Sequence, residues 1–330
     1  MKSLLNKLLE SLTLDRREAY QLMHGIADGQ LNEARMAAVL TALIMRSISL
    51  DELLGFREAL LELAIKPQLN NGDAIDLCGT GGDGKNTFNI STLSAFVVAG
   101  AGIPVAKHGN YSVSSTSGSS NVMEHMGYKF SNEEDKLKKE LGKTGICFLH
   151  APLFHPALKA VASVRRQLGI KSFFNILGPL VNPAMPNYQS SGVFNLETGR
   201  IYSYLLQSEE KEFRVVHSLD GYDEVSLTAD TRIFSPEGEQ LIRAADFDMQ
   251  TLMPQELYGG ESVEDAAAIF LKILQGEGTK AQNDAVVANS ALAVHCYRKS
   301  ISLKEAVEEA NESLTSKKAL QKLYDLIKLQ

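Results

Sequence analysis

The sequence predicts an α/β fold: a small N-terminal helical domain beside a larger domain with a mostly parallel central sheet. Three observations carry this. Apolar residues recur at helical spacing, without strand patterning, through the first 66 residues. From Asp73 short apolar runs alternate with helical stretches, the signature of parallel strands joined by crossover helices. From Val263 onward the pattern is helical again.

Leu4, Leu5, Leu8, Leu9 and Leu12 form one helical stripe. Lys7 and Glu10 interrupt the apolar run that a signal peptide would need, and no small-residue cleavage site follows. Further helices are expected over Asp15–Ala27, Asn32–Met45 and Ser49–Ile65, the last ending before Pro67. Composition shifts at Lys66–Gly72, which marks a linker between a helical domain of residues 1–68 and an α/β domain of residues 69–330. Strands are expected at Ala74–Cys78, Ile103–Ala106, Ile146–Leu149, Gly192–Phe194 and Arg214–Val216. Helices are expected from Ser91 to Gly100 and near Ser119–Met126. Residues 225–243 suit an antiparallel insert turning at Pro236-Glu237-Gly238.

The 330 residues carry 40 acidic and 33 basic side chains, a net charge of −7, which argues against a general nucleic-acid binder. Any anion site must therefore be built locally. Three scattered cysteines, with no CxxC pair, fit a reducing cytoplasm and argue against zinc or redox chemistry. No stretch reaches the roughly 18 apolar residues of a membrane span.

The first chemical signal is Gly79-Thr-Gly81-Gly82-Asp83-Gly84-Lys85-Asn86-Thr87-Phe-Asn89-Ile-Ser91-Thr92. Gly79, Gly81 and Gly84 satisfy GxGxxG, yet the next strand ends in Lys107-His108 where a dinucleotide site wants an acid. Gly79–Lys85 also satisfies GxxxxGK, yet Asn86 occupies the position of the magnesium-binding hydroxyl. In both cases the helix starts too late. A plain tight turn with Ser91 or Thr92 as N-cap accounts for one hydroxyl and one glycine only. Clustered glycines admit a ligand close to the backbone, and Asn89, Ser91 and Thr92 add donors at a helix N-terminus; together they point to a phosphate cradle.

A second loop starts one strand over, at Lys107-His108-Gly109-Asn110, and runs through Ser112, Ser114, Ser115, Thr116, Ser117, Gly118, Ser119 and Ser120. A flexible serine-rich linker is the bland alternative. Its position on the same C-terminal edge as the glycine loop, where open α/β sheets bind ligands, favours a site.

These two loops together resemble the anthranilate phosphoribosyltransferases. Ala151-Pro152, His155-Pro156, Val164-Arg165-Arg166-Gln-Leu-Gly169, Phe174–Pro183, Val216–Ser226, Gly259-Gly260 and Asn283–Asn289 agree as well, so the likeness spans the chain. The resemblance implies a phosphoribosyltransferase-like fold, with helices from about 156–185 joining the small domain. It implies transfer of a phosphoribosyl group from 5-phosphoribosyl 1-pyrophosphate (PRPP) to the amine of anthranilate, with Mg²⁺, in a cytoplasmic homodimer formed through the helical domain. It places Gly79, Gly82, Asp83, Thr87, Asn89, Ile90, Ser91, Thr92, Lys107, His108, Gly109, Asn110, Ser114, Ser115 and Ser119 around PRPP. Gly79, Asn110, His155 and Arg165 fall to anthranilate, with Pro152 and His108 as walls. Ser91, Asp223 and Glu224 fall to the metal, and an adjacent carboxylate pair suits Mg²⁺. No acid, base or nucleophile is assigned, because an aniline-type nitrogen is already neutral.

The chain departs from the family's common pattern at Tyr111, Thr116 and Asn121, losing two positive charges and one negative charge from the second loop. Two other readings share the architecture. A pyrimidine nucleoside phosphorylase has no need of the Asp223-Glu224 pair or of Arg165. A non-catalytic nucleic-acid binder would show a basic surface and degraded motifs.

Overall fold

Four helices open the chain: α1 (Lys2–Leu9), α2 (Arg16–Ala27), α3 (Glu33–Ile44) and α4 (Leu50–Glu62). Each of the last three starts where a side chain replaces a missing backbone partner. Asp15 and Ser49 form capping boxes with Glu18 and Glu52, and Asn32 accepts from the Arg35 N–H. The leucine stripe of α1 divides: Leu4 and Leu8 are buried, whereas Leu9 and Leu12 face solvent. This computed structural model describes residues 1–69, 73–111, 117–169 and 172–330.

The α/β part runs β1 (Ile75–Asp76), α5 (Ile90–Gly100), β2 (Val105–Gly109), α6 (Ser119–His125), α7 (Glu134–Thr144) and β3 (Ile146–His150). Three helices follow, α8 (Ala151–Phe154), α9 (Pro156–Leu168) and α10 (Phe173–Leu177), before β4 (Tyr188–Gly192), α11 (Leu196–Ser208) and β5 (Glu212–Ser218). A hairpin of β6 (Thr231–Ser235) and β7 (Gly238–Ile242) precedes α12 (Val263–Leu274), α13 (Lys280–Tyr297), α14 (Leu303–Thr315) and α15 (Lys318–Ile327).

The sheet has the order β3-β2-β1-β4-β5-β6-β7. The first five strands are parallel, and β6 and β7 are antiparallel, as the sequence predicts for residues 225–243. Strand order reverses at β1, whose neighbours β2 and β4 follow it in opposite directions. Such a reversal opens a crevice beyond the carboxyl ends of the strands.

One apolar core joins α5 and α12–α15 to the sheet. A second is continuous from α1–α4 through Val161, Val164, Phe173 and Phe174 to Tyr202, Phe213 and Phe234. Helices α9 and α10 thus pack with the N-terminal helices, although they lie a hundred residues further on.

One strand differs from expectation. The strand expected at Gly192–Phe194 lies at Tyr188–Gly192. Its polar run conceals it: Gln189 and Ser191 are buried, and Gln189 Nε2 donates to the Pro179 carbonyl at 2.7 Å and to Ser191 Oγ at 2.8 Å. A satisfied polar side chain is tolerated inside a central strand, where periodicity alone reads a loop.

Glu52 is the buried tie of the helical layer. It accepts from the backbone N–H groups of Leu14 and Ser49, each at 2.9 Å, and pairs with the Arg46 guanidinium. Burial raises its pKa, but Arg46 and the two N–H groups outweigh that and hold it below the usual 4.5. A carboxylate with a depressed folded pKa stabilises above its unfolded pKa, and that contribution fades as pH falls through the folded value. Glu52→Ala is therefore expected to cost about 3–5 kcal/mol, the range for breaking a buried pair. Urea unfolding from pH 7 to pH 3 is expected to show a shallower acid loss for Glu52→Gln than for wild type; equal slopes would assign the acid limb to other carboxylates.

Candidate active site

The crevice at the strand reversal is lined by the loop after β1, the loop after β2, the start of α5, the Asp223-Glu224 segment after β5, and α9–α10. The glycine loop turns through positive φ at Gly81, Gly82 and Gly84 (59°, 76° and 77°), a region open chiefly to glycine. Its backbone is tied to the neighbouring strands. The Thr80 N–H donates to the Gly192 carbonyl at 2.9 Å, and the Gly81 N–H donates to Asp223 Oδ2 at 2.7 Å.

The acidic pair is held from three sides. The Ser91 N–H, in the first turn of α5, donates to Glu224 Oε1 at 3.2 Å, and Thr87 Oγ1 lies 3.5 Å from Glu224 Oε2. Ser218 Oγ donates to the Glu224 carbonyl at 2.6 Å. Asn289, on α13, brackets Val225 by accepting from its N–H at 3.0 Å and donating to its carbonyl at 2.9 Å. Gly192 leaves no alternative path for this segment: a Cβ there would stand 1.3 Å from the Asp223 carbonyl oxygen.

The electrostatics of this end are one-sided. Burial, then the Asp83 carboxylate, push Asp223 up to about 7. Burial, then Asp223 and Asp83, push Glu224 well above the carboxylate range. Lys107 is the nearest buried cation; its Nζ is hydrogen-bonded to the Leu77 carbonyl and lies 3.5 Å from Ser91 Oγ. Among the described residues no three His, Cys, Asp or Glu side chains form an all-protein metal cage. Two carboxylates, a serine hydroxyl and room for phosphate oxygens are the hard-oxygen set that suits Mg²⁺, which ordinarily keeps waters and takes one or two carboxylates.

The second loop leaves β2 beside this cluster. Asp76, the buried last residue of β1, accepts from the His108 N–H at 3.0 Å and so fixes the end of β2. Asn89 Nδ2 reaches across to the Ser117 carbonyl at 3.1 Å, joining the two loops. Thr92 Oγ1 is buried without a partner. His108 Nδ1–H donates to the Gly178 carbonyl at 3.0 Å, and burial, then His155, push its pKa down to about 3, so the ring is neutral.

The far wall is different in kind. Arg165 sits in the last turn of α9, with its guanidinium carbon 5.3 Å from the Phe174 ring centroid and Nη2 3.5 Å from Asn175 Oδ1. It has no carboxylate partner among the described residues, and its buried Nε has no hydrogen bond. Burial lowers its pKa. A cation so placed is completed only by an anion brought from outside.

Most expected site residues meet here. Gly79, Gly82, Asp83, Thr87, Asn89, Ser91, Thr92, Lys107, His108, Gly109, Asn110, Ser119, Arg165, Asp223 and Glu224 all line the crevice. Two do not. Ile90 points into the core beneath α5. His155 is 1% exposed, and its ring packs edge-on behind His108 at 5.3 Å, so it backs the wall without lining it. Pro152 lines a separate shallow groove with Tyr111 and Phe130. Ser114 and Ser115 lie outside the described residues. Asn289 and Asn175 escape assignment from sequence, because a lone amide carries no chemical signature until the turn it braces is known.

Residues 71–320 match the model described as "Glycosyl transferase family, a/b domain", and residues 2–64 match "Glycosyl transferase family, helical bundle domain". The anthranilate phosphoribosyltransferase of Flavobacterium johnsoniae is 54% identical over 99% of both chains. That of Christiangramia forsetii is 52% identical over 100% of this chain and 99% of its own. The crystal structure of the Thermus thermophilus enzyme is 32% identical, with a TM-score of 0.90 over 99% of this chain and 98% of that one. The Saccharomyces cerevisiae enzyme in complex with PRPP and Mg is 26% identical, also with a TM-score of 0.90, over 99% of this chain and 96% of that one. On fold, crevice and sequence together, the chain belongs to the anthranilate phosphoribosyltransferase family.

Proposed function

We infer that this chain is a pentosyltransferase that moves the phosphoribosyl group of PRPP to the amine of anthranilate, giving N-(5-phosphoribosyl)anthranilate and pyrophosphate. The observation that carries this is the two-ended crevice. One end offers glycine-loop N–H groups, hydroxyls, Lys107 and a carboxylate pair, which suit a polyphosphate with its metal. The other offers Arg165 beside an aromatic ring, which suits a planar aromatic carboxylate.

In the reaction the amine nitrogen forms a bond to C1 of the ribose, the C1–oxygen bond breaks, and its electron pair leaves on pyrophosphate. The nitrogen then loses a proton. The amine attacks in its neutral form, so the chain's task is to align the two substrates and to stabilise charge at the leaving group. Arg165 with Asn110 would orient anthranilate; the glycine loop, Asn89, Ser91, Thr92 and Lys107 would orient PRPP. The neutral His108 ring and the half-buried wall keep the acceptor pocket free of competing charge. Asp223, Glu224 and Ser91 would hold Mg²⁺, which when bound offsets negative charge on the departing pyrophosphate. Burial first, and then the neighbouring carboxylates, raise the pKa of the two acids, and a cation at this end would relieve both costs.

A homodimer through the helical layer is part of this reading. α1 packs on α3, and Leu9, Leu12, Ile44 and Met45 stay exposed there, Met45 at 83%. No helix is long and apolar enough to cross a membrane among the described residues; a cytoplasmic site is our reading of the sparse, unpaired cysteines.

Mixing the purified protein with anthranilate, PRPP and Mg²⁺ is expected to quench anthranilate fluorescence with stoichiometric pyrophosphate release, and EDTA to abolish both. Phosphorolysis of thymidine in place of quenching would transfer the site to the phosphorylase reading. Asp223→Asn and Glu224→Gln are expected to lower turnover by about tenfold or more while leaving anthranilate affinity by calorimetry unchanged. Arg165→Lys is expected to raise the KM for anthranilate about tenfold with little change for PRPP, because an ammonium cannot reproduce the planar fork. Met45→Glu is expected to shift the mass seen by light scattering from dimer toward monomer; an unchanged mass would place the interface elsewhere.

A further inference from the structure

Lys85 closes the Gly79–Lys85 GxxxxGK match, yet the reading above gives it no task. It lines the crevice at the mouth of the glycine loop. Its own N–H donates to Asp83 Oδ1 at 2.9 Å, which fixes its backbone. Its side chain is held far less firmly. The stem runs beside Gly221, and Nζ sits 4.5 Å from the Tyr222 ring centroid. No carboxylate lies within ion-pair distance of Nζ among the described residues.

The charge inventory of the crevice shows why this matters. Lys85, Lys107 and Arg165 are its lining cations among the described residues. Arg165 stands against the aromatic wall, and Lys107 is buried and committed to the Leu77 carbonyl. The second loop adds none: residues 108–128 contain no lysine or arginine. A polyphosphate entering between Asp83, Asp223 and Glu224 therefore meets one cation that is both accessible and free to move. Tyr222 is buried but Lys85 is only half-buried, so its contact with one ring face is a weak hold beside a charge-assisted hydrogen bond to phosphate.

We propose that Lys85 leaves the Tyr222 ring to bind the pyrophosphate moiety of PRPP, and so supplies from the first loop the positive charge that the second loop lacks. The inference rests on the phosphoribosyl-transfer reading and deepens it. The long stem, anchored at Gly84–Lys85 next to the acidic turn, lets one side chain serve both the empty and the loaded crevice.

The test uses the full chain and its Lys85→Met, Lys85→Arg and Tyr222→Leu variants. Calorimetry with pyrophosphate plus Mg²⁺ is run beside steady-state kinetics and thermal melting. Lys85→Met is expected to weaken pyrophosphate binding and raise the KM for PRPP by about tenfold, the scale of one charged hydrogen bond. Its KM for anthranilate and its melting temperature should not move, and Lys85→Arg should recover most of the loss. Tyr222→Leu keeps an apolar side chain at this buried core position while removing the ring face, so, at a melting temperature that shows the core intact, it should keep or improve pyrophosphate affinity. Wild-type affinity in Lys85→Met would overturn the proposal. So would a Tyr222→Leu loss equal to that of Lys85→Met, which would make the lysine a brace for the turn. If wild type binds PRPP and pyrophosphate but transfers nothing to anthranilate, the transfer reading falls and the calorimetry still decides the lysine. If wild type binds neither, both fall together.

Discussion

The close passage of the Asp223 backbone over Gly192 is the constraint on which the site depends. β4 and β5 are paired in parallel, and the chain leaving β5 must turn back over the end of β4. Only a residue without a side chain lets it through, since a Cβ at Gly192 would fall inside the Asp223 carbonyl. Once there, Asp223 Oδ2 takes the Gly81 N–H and Glu224 takes the Ser91 N–H. The glycine loop, the start of α5 and the acidic turn thus form one hydrogen-bonded unit assembled from strands on both sides of the order reversal. Loosening any member would loosen the others, because the Thr80, Gly81 and Ser91 N–H groups tie the loop and the helix start to β4 and to the acidic turn.

That unit concentrates negative charge in a protein that is already acidic. Three carboxylates meet at one end of the crevice, and Asp223 and Glu224 are pushed toward protonation by burial first and then by neighbouring carboxylates. For stability alone this arrangement is unfavourable. It becomes useful when a divalent cation and phosphate oxygens arrive together, since the cation answers the acids and the acids fix the cation. In the proposed reading, polyphosphate recognition rests on backbone N–H groups, hydroxyls and a few cations, which would let a chain of net charge −7 hold an anion.

The legibility of the sequence followed the same physics. The parallel sheet, the hairpin and the four opening helices follow from period and caps, which are local. The glycine loop, the Lys107–Asn110 segment, Arg165 and the Asp223-Glu224 pair stand out because their residue types are unusual for plain loops. β4 was hidden because Gln189 and Ser191 satisfy each other only in the folded sheet. His155 misleads for a related reason: beside a motif, a histidine draws attention by its chemistry, yet its place behind His108 is decided by how α8 and α9 pack. Asn289 comes from a helix 64 residues beyond the turn it braces, a relation that local pattern does not contain.

Two half-buried arginines show how structure separates support from function. Arg46 and Arg165 are both drawn from water. Arg46 finds Glu52, a carboxylate whose remaining capacity is filled by the Leu14 and Ser49 N–H groups. Its Nε, like that of Arg165, has no hydrogen bond, but its charge is answered by Glu52, and nothing in the cluster invites an anion. Arg165 meets a ring face and one distant amide oxygen, with an Nε left bare. Burial depresses its pKa with no neighbouring acid to offset it. The difference lies in satisfaction: a charge whose partners are supplied by the fold stabilises the fold, and a charge left short of partners inside a crevice selects what enters. By that criterion Arg165 is open to an anion, which supports the proposed aromatic carboxylate as its partner, and the cost of holding it open would be recovered when one binds.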